Sequence, residues 1–157
     1  MRDEIRAQVM LVFEEDFVVV PSLTLRAGEA LADHLEPPPY DPIVDQPNDL
    51  YLEKYTYWGL GYLDPASWRH YLPRLVDYAF RHQAKCDSMV GDGLLRSLHP
   101  PDHVPPRLGS LSVEQEAAMR AFLEEIAFGE DSAHDREDAM LALEEWWLPN
   151  ALYRSKP

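Results

Sequence analysis

Residues 64–81 read DPASWRHYLPRLVDYAFR and carry the clearest structural signal in the chain. Asp64 is a residue type that caps helices, and Pro65 suits the first helical position because an N–H would stay unbonded there anyway. Apolar side chains recur three and four residues apart, as on one helix face: Trp68, Tyr71, Leu72, Leu75 and Ala79. The opposite stripe is predicted to face solvent and holds His70, Arg74, Asp77 and Arg81. This stretch is therefore predicted to form an amphipathic helix.

Two helices are predicted downstream of it. Ser112 and Gln115 have the spacing of a capping box, and the apolar face that follows them ends at Gly129. The last helix is predicted to run from about His134 to Trp147, and Pro149 ends it.

Upstream and between these helices the signals are weaker. Residues Arg2 to Glu15 are predicted to form a helix, followed by extended chain over residues 17–20. Ser22 is the predicted cap of a second helix. Residues 51–63 fit either a short helix with a turn or a pair of strands, and the sequence does not separate the two. A weak helix is predicted over Cys86 to Leu98.

Residues 36–50 contain five prolines and several acidic side chains, so they are predicted to form a solvent-facing loop. Few segments alternate polar and apolar residues with a period of two. The sequence predicts an all-α fold, or a mostly α fold with a minor extended segment. We expect a compact single domain over residues 1–157, an irregular bundle of about five or six helices.

The charge pattern limits the classes of partner. The net charge is −14. Residues 1–63 hold twelve acidic and four basic side chains and residues 108–148 hold eleven and two, whereas residues 64–107 hold five and six. Nucleic acids and anionic membranes need a basic surface, so neither is an expected partner. A basic protein is the electrostatically compatible partner, while the oligomeric state is left open.

The sequence also predicts where the protein works. The apolar run from Val9 to Val20 is interrupted by three acidic residues, and no stretch approaches the ~20 apolar residues of a membrane span. Cys86 is the only cysteine, so no internal disulfide can form. A cytoplasmic location is expected.

No catalytic residue, metal site or cofactor is predicted. His99 and His103 are four residues apart, but prolines around them argue against a shared helical face. His82 and Cys86 have the same spacing without further ligands nearby. The acidic stretch 130–138 lacks the alternation and the central glycine of a calcium loop. The sequence leaves open whether the protein is an enzyme, and it favours a protein without catalytic activity.

Aromatic residues are concentrated between Tyr51 and Tyr71, where seven of 21 positions are Trp or Tyr. Such side chains fit a packed core, and they equally fit an interface or a ligand cleft. The residues predicted to bind a ligand or partner are Tyr55, Trp58, Trp68, His70, Tyr71 and Arg74.

Several short motifs resemble a bacterial family of unknown function. They are YLP at residues 71–73, LSVEQ at 111–115, Phe122-Leu123, and a final helix that carries Trp146. The resemblance covers roughly residues 50–148, with the proline-rich loop outside it. It implies a small α-helical bacterial cytoplasmic protein, and it transfers no active-site residue.

Two functional hypotheses follow. The leading one is a non-catalytic, acidic protein-binding module that acts on a basic partner, as inhibitors and toxin-neutralising immunity proteins do. The alternative is a small-ligand-binding protein or an enzyme, with an aromatic cleft around residues 51–74.

Overall fold

The computed structural model describes residues 1–82, 87–130 and 135–154, and all regular elements in these ranges are helical. The eight α-helices there are α1 (Arg2–Val12), α2 (Glu14–Val18), α3 (Leu25–Ala32), α4 (Asp49–Gly59), α5 (Pro65–Arg81), α6 (Val90–Ser97), α7 (Val113–Phe128) and α8 (Arg136–Ala142). The all-α prediction is confirmed. The expected count of five or six helices is wrong, because α2 was predicted partly as extended chain and the helical interpretation of α4 was left open. Helix α2 has only five residues, and so short a helix gives little periodicity to detect.

Helix α5 lies at the centre of the fold and packs against α1, α2 and α6. Its predicted cap is confirmed, since a carboxylate oxygen of Asp64 accepts the backbone N–H of Ser67 at 3.2 Å. The five residues of its predicted apolar face are all at most 8% exposed. The predicted solvent stripe is wrong at His70, which is 8% exposed, because α2 covers that side of α5.

The amino-terminal region differs from the sequence prediction in two places. Phe17, predicted to be extended, lies in the short helix α2, so the extended chain begins at Val19. Thr24 rather than Ser22 caps α3, and its hydroxyl accepts the N–H of Ala27 at 3.0 Å. The Ser22 hydroxyl instead donates to Asp64 at 2.8 Å, which joins this segment to the start of α5.

Residues 51–63 form the rest of α4 and a 3₁₀ turn at Leu60–Tyr62, so the helical alternative is the correct one. Helix α4 packs closely against α3 where two glycines meet. A Cβ atom added at Gly28 would lie 2.2 Å from the carbonyl oxygen of Gly59, and one added at Gly59 would lie 2.3 Å from that of Leu25. Both positions therefore require glycine.

The proline-rich stretch before α4 is fastened to the helices by Asp45, whose side chain is fully buried. Arg26 donates two hydrogen bonds to this carboxylate, at 3.0 and 2.9 Å, and the Tyr51 hydroxyl donates a third at 2.7 Å. The stretch was predicted to face solvent, and most of it does. Asp45 is the exception, because its carboxylate is held among Arg26 of α3 and Tyr51 of α4.

The carboxy-terminal half matches the predicted helices in outline. α7 begins with the predicted capping box of Ser112 and Gln115. The weak helix predicted from Cys86 is α6, which begins at Val90, and Cys86 lies outside the described residues, as does His134. α8 continues into a π-helical turn at Leu143–Trp147. None of the described helices is long and apolar enough to cross a membrane.

Candidate functional site

The structure does not bring the six predicted binding residues together in one cleft. Trp68 and Tyr71 are buried in the core, with 0% and 1% exposure, and His70 is buried beside α2. Tyr55 and Arg74 are half-buried. Trp58 is 59% exposed and lines a surface cleft, so among the six predicted residues it alone presents a large free aromatic surface.

The buried tyrosines have a structural task at the start of α3. The first N–H groups of a helix have no partner within it. Here the Leu25 N–H donates to the Tyr71 hydroxyl and the Arg26 N–H to the Tyr51 hydroxyl, both at 3.3 Å. Burial raises the pKa of Tyr71 to about 12, so its hydroxyl stays protonated. These two rings belong to the core and to helix capping.

His70 and Arg74 hold α2 against α5. The Nδ1 of His70 lies 3.0 Å from the carbonyl oxygen of Asp16, which can only accept a hydrogen bond, so Nδ1 carries the proton. Burial lowers the pKa of His70, which favours a neutral ring. The guanidinium of Arg74 lies 4.0 Å from the centre of the Phe17 ring. Both side chains thus have partners within the fold.

Helix α2 ends in an exposed apolar run that we call the valine face: Val18, Val19 and Val20, with exposures of 72%, 60% and 57%. The two residues Glu14 and Glu15 precede it and are exposed as well. Neither glutamate forms an ion pair with any described residue. A groove of about 220 Å³ separates Val19 and Val20 from the start of α5.

A second feature, which we call the cationic cleft, lies between α4, α6 and the loop before α7. It measures about 340 Å³, and its main side chains are Tyr57, Trp58, Tyr62, Arg96, His103 and Arg107. Helices α4 and α6 cross tightly at its base, because a Cβ atom at Gly93 would lie 3.2 Å from the Cα of Tyr57. Among these six residues, only Trp58 was predicted from the sequence to bind a ligand or partner. The others come from three separate segments and share no motif.

The arginines of this cleft are fixed in different ways. Arg96 is exposed; its guanidinium lies 4.4 Å from the centre of the Tyr57 ring and donates to the Tyr57 carbonyl at 2.9 Å. Arg107 is 1% exposed and donates to the carbonyl of Leu60 at 2.9 Å. Burial lowers the pKa of Arg107 to about 10, so it remains charged at neutral pH. Arg107 also donates to Nε2 of His103, which must therefore be unprotonated.

Asp102 shapes the loop that carries Arg107 and His103. Its carboxylate accepts four backbone N–H groups at 2.8 Å, from His103, Arg107, Leu108 and Gly109. Although burial opposes ionisation, these donors hold the pKa of Asp102 below its usual value. The Asp102 carboxylate therefore stabilises the conformation of this loop.

No catalytic or metal centre is evident in the part of the chain that is described. It contains no group of three or more potential metal ligands. His99 contacts Glu145 at 3.4 Å, whereas His103 contacts Arg107, so the two histidines have separate surroundings. His82 pairs with Asp49 at 2.9 Å.

Comparison with known proteins gives a family and no function. The chain matches none of the curated proteins and none of the solved structures with which it was compared. A family of unknown function, DUF6714, matches residues 1–151, which confirms the prediction of a family of unknown function. The match begins at residue 1, so the proline-rich loop lies inside the family region, contrary to the sequence prediction. The chain belongs to the family of unknown function DUF6714.

Proposed function

We propose that this protein acts by binding a basic protein, and that the valine face is its contact surface. The observation that supports this most directly is the exposure of three consecutive valines beside two glutamates that form no ion pair with a described residue. Runs of exposed apolar residues are unfavourable in water and often mark an interaction surface. Such a run needs an apolar partner surface.

Charge determines the kind of partner. The chain carries 28 acidic and 14 basic side chains, so a basic protein is attracted over a distance and approaches faster. In contact, apolar side chains of the partner cover the valines, and its Lys or Arg side chains meet Glu14 and Glu15. The protein would then inhibit or neutralise its partner by covering it, without catalysis.

A photo-crosslinking experiment tests this proposal. The crosslinking amino acid p-benzoylphenylalanine replaces Val19 in one sample and Phe128 in a matched control. Phe128 is 70% exposed and lies at the end of α7, about 20 Å along that helix from Gln115, which contacts Asp16. The samples are irradiated in an extract of the source cell, and crosslinked proteins are identified by mass spectrometry.

We expect Val19 to capture a basic protein that Phe128 does not capture. With that protein purified, Val19→Asp should weaken binding at least tenfold, while Phe128→Asp leaves it unchanged. The double change Glu14→Gln, Glu15→Gln should slow association and flatten its salt dependence. Equal capture at both positions, or capture of acidic proteins only, would rule the proposal out.

A small-ligand function is the second candidate, and the cationic cleft is the observation that favours it. Its aromatic residues Tyr57, Trp58 and Tyr62 fall within the segment where such a cleft was expected. The charged groups of this cleft are cations, so it suits an anionic ligand, whereas the proposed protein partner is basic.

A further inference from the structure

We propose that the cationic cleft binds a small ligand in which a planar ring is joined to a phosphate or carboxylate group. The inference is independent of the proposed protein partner, because no residue of the valine face lines this cleft. It rests on the buried charge of Arg107, the exposed charge of Arg96 and the free aromatic surfaces beside them.

The charge of the buried Arg107 guanidinium is only partly compensated, because the negative charge of Asp102 favours its ionisation but burial outweighs this and lowers the pKa of Arg107. A buried cation is costly unless an anion or enough acceptors surround it. No described carboxylate forms an ion pair with Arg107, and its Nε atom has no hydrogen-bond partner among the described residues. Asp102 is the nearest candidate by sequence, but backbone N–H groups already occupy its oxygens. An anion in the cleft would supply the missing charge.

Arg96 lines two clefts, and only one of them suits an anion. Another cleft, of about 400 Å³, shares Tyr57 and Arg96 but is lined by Asp92 and Asp138, which would repel an anion. The cationic cleft has no carboxylate among its lining residues. Arg96 is itself free of ion pairs with described residues, so its guanidinium can turn one edge to a phosphate or carboxylate.

The exposed aromatic rings of the cationic cleft indicate a planar group in the rest of the ligand. Trp58 and Tyr62 are 59% and 51% exposed at the cleft, and such rings stack on planar groups. The volume, about 340 Å³, is near the lower limit of small-molecule pockets. A long nucleic acid is a poor occupant, because the net charge of −14 repels a polyanion beyond the cleft. A single small anion experiences mainly the local cations.

The test is an NMR titration of the isotope-labelled full-length protein at low salt. The probes are adenosine monophosphate and indole-3-acetate, which carry a phosphate and a carboxylate, and the separate parts adenosine, indole, inorganic phosphate and acetate. We expect at least one joined probe to bind ten times more tightly than either of its parts. The largest shifts should be at the Trp58 indole N–H and at the amides of Gly61 and Gly93.

Variants then locate the binding. Arg96→Gln and Trp58→Ala are surface changes, and each should weaken the joined probe about tenfold. Arg120→Gln and Phe128→Ala remove an arginine and an exposed aromatic from α7 and should leave the affinity unchanged. Arg107→Gln should abolish binding, with circular dichroism to confirm folding; if it unfolds, the two surface variants decide. The inference fails if neither joined probe binds more tightly than its parts, or if Arg96→Gln and Trp58→Ala leave the affinity unchanged.

Discussion

Asp45 shows how a single buried carboxylate makes stability depend on pH. Although burial opposes ionisation, hydrogen bonds from Arg26, from the Asp41 N–H and from Tyr51 hold its pKa below the ordinary 3.8. The unfolded chain therefore binds the proton more readily than the folded one, so Asp45 stabilises the fold above pH 4 and this contribution is lost as pH falls. Asp45→Asn should lower the free energy of unfolding by about 2 kcal/mol at pH 7.

Urea unfolding at pH 7, 5 and 3 measures this effect. The difference between wild type and Asp45→Asn should be largest at pH 7 and shrink by pH 3, because Asp45 of the unfolded chain is largely protonated there and unfolding then takes up a proton. Asp3→Asn is the control, because the Asp3 side chain is 95% exposed and pairs only with Arg6. A difference of the same size at all three pH values would contradict the predicted role of the charge.

For single residues, the sequence predicts which side chains are apolar or polar better than it predicts where they lie in the fold. Periodicity placed Trp68 and Tyr71 on the apolar face of α5, and both are buried. The same periodicity placed His70 in solvent, because the pattern within one helix does not record that α2 covers it. Arg96 and Arg107 were missed for a related reason: they come from distant segments that meet only after folding.

The crossing of α3 and α4 makes a prediction for whole elements. In an exposed helix Gly→Ala usually stabilises, by about 1 kcal/mol. At Gly28 the added methyl group would meet the backbone of Gly59 at 2.2 Å, and neither helix can relieve the contact by rotating a side chain. Gly28→Ala should therefore separate the helices and lower the free energy of unfolding by about 2 kcal/mol.

The chain contains a matched control for this change. A Cβ atom at Gly61 would meet nothing within 4 Å, and no glycine among the described residues has a positive φ angle. Gly61→Ala should leave stability unchanged or raise it by up to about 1 kcal/mol. Thermal and urea unfolding of both variants measure the difference. Equal stability of Gly28→Ala and wild type would mean that the close crossing is not needed.

Helix length and end signals decided which elements were predictable. α5 and α7 have 17 and 16 residues and begin with strong caps at Asp64 and Ser112, so both were predicted correctly. α2 has five residues and no side-chain cap, so its Phe17 resembled extended chain. Near α3 both Ser22 and Thr24 were chemically suitable caps, and only the pairing of Ser22 with Asp64 distinguishes them.

For the whole molecule, folding brings the two acidic flanks of the sequence together. Helix α7 packs against both α1 and α8, so acidic residues far apart in sequence lie on neighbouring helices. Ion pairs on these helices join Arg2 to Glu125, Arg6 to Asp3 and Arg154 to Glu116. The cationic cleft instead takes both of its arginines, Arg96 and Arg107, from residues 64–107, the part of the sequence without an excess of acidic side chains. The proposed basic partner and anionic ligand therefore suit different parts of the surface.

This charge distribution predicts that salt stabilises the protein in the absence of any partner. Repulsion among 28 acidic side chains opposes folding, whereas the exposed ion pairs that salt weakens contribute little each. Raising NaCl from 20 to 300 mM shortens the screening length from about 20 Å to about 6 Å. We expect a gain of roughly 1 kcal/mol, or about 3 °C in melting temperature. Chloride is used because sulfate stabilises proteins by a different mechanism.

The repulsion can also be reduced by mutation, which separates it from other effects of salt. Glu4 and Glu124 are exposed on α1 and α7, and neither pairs with a described residue. The double change Glu4→Gln, Glu124→Gln should raise the melting temperature at 20 mM NaCl, and the gain should largely disappear at 300 mM, where the charges are already screened. If the gain is the same at both concentrations, its cause is helix propensity or packing. If wild type melts at a lower temperature in 300 mM NaCl, attractive ion pairs outweigh the repulsion among the acidic side chains.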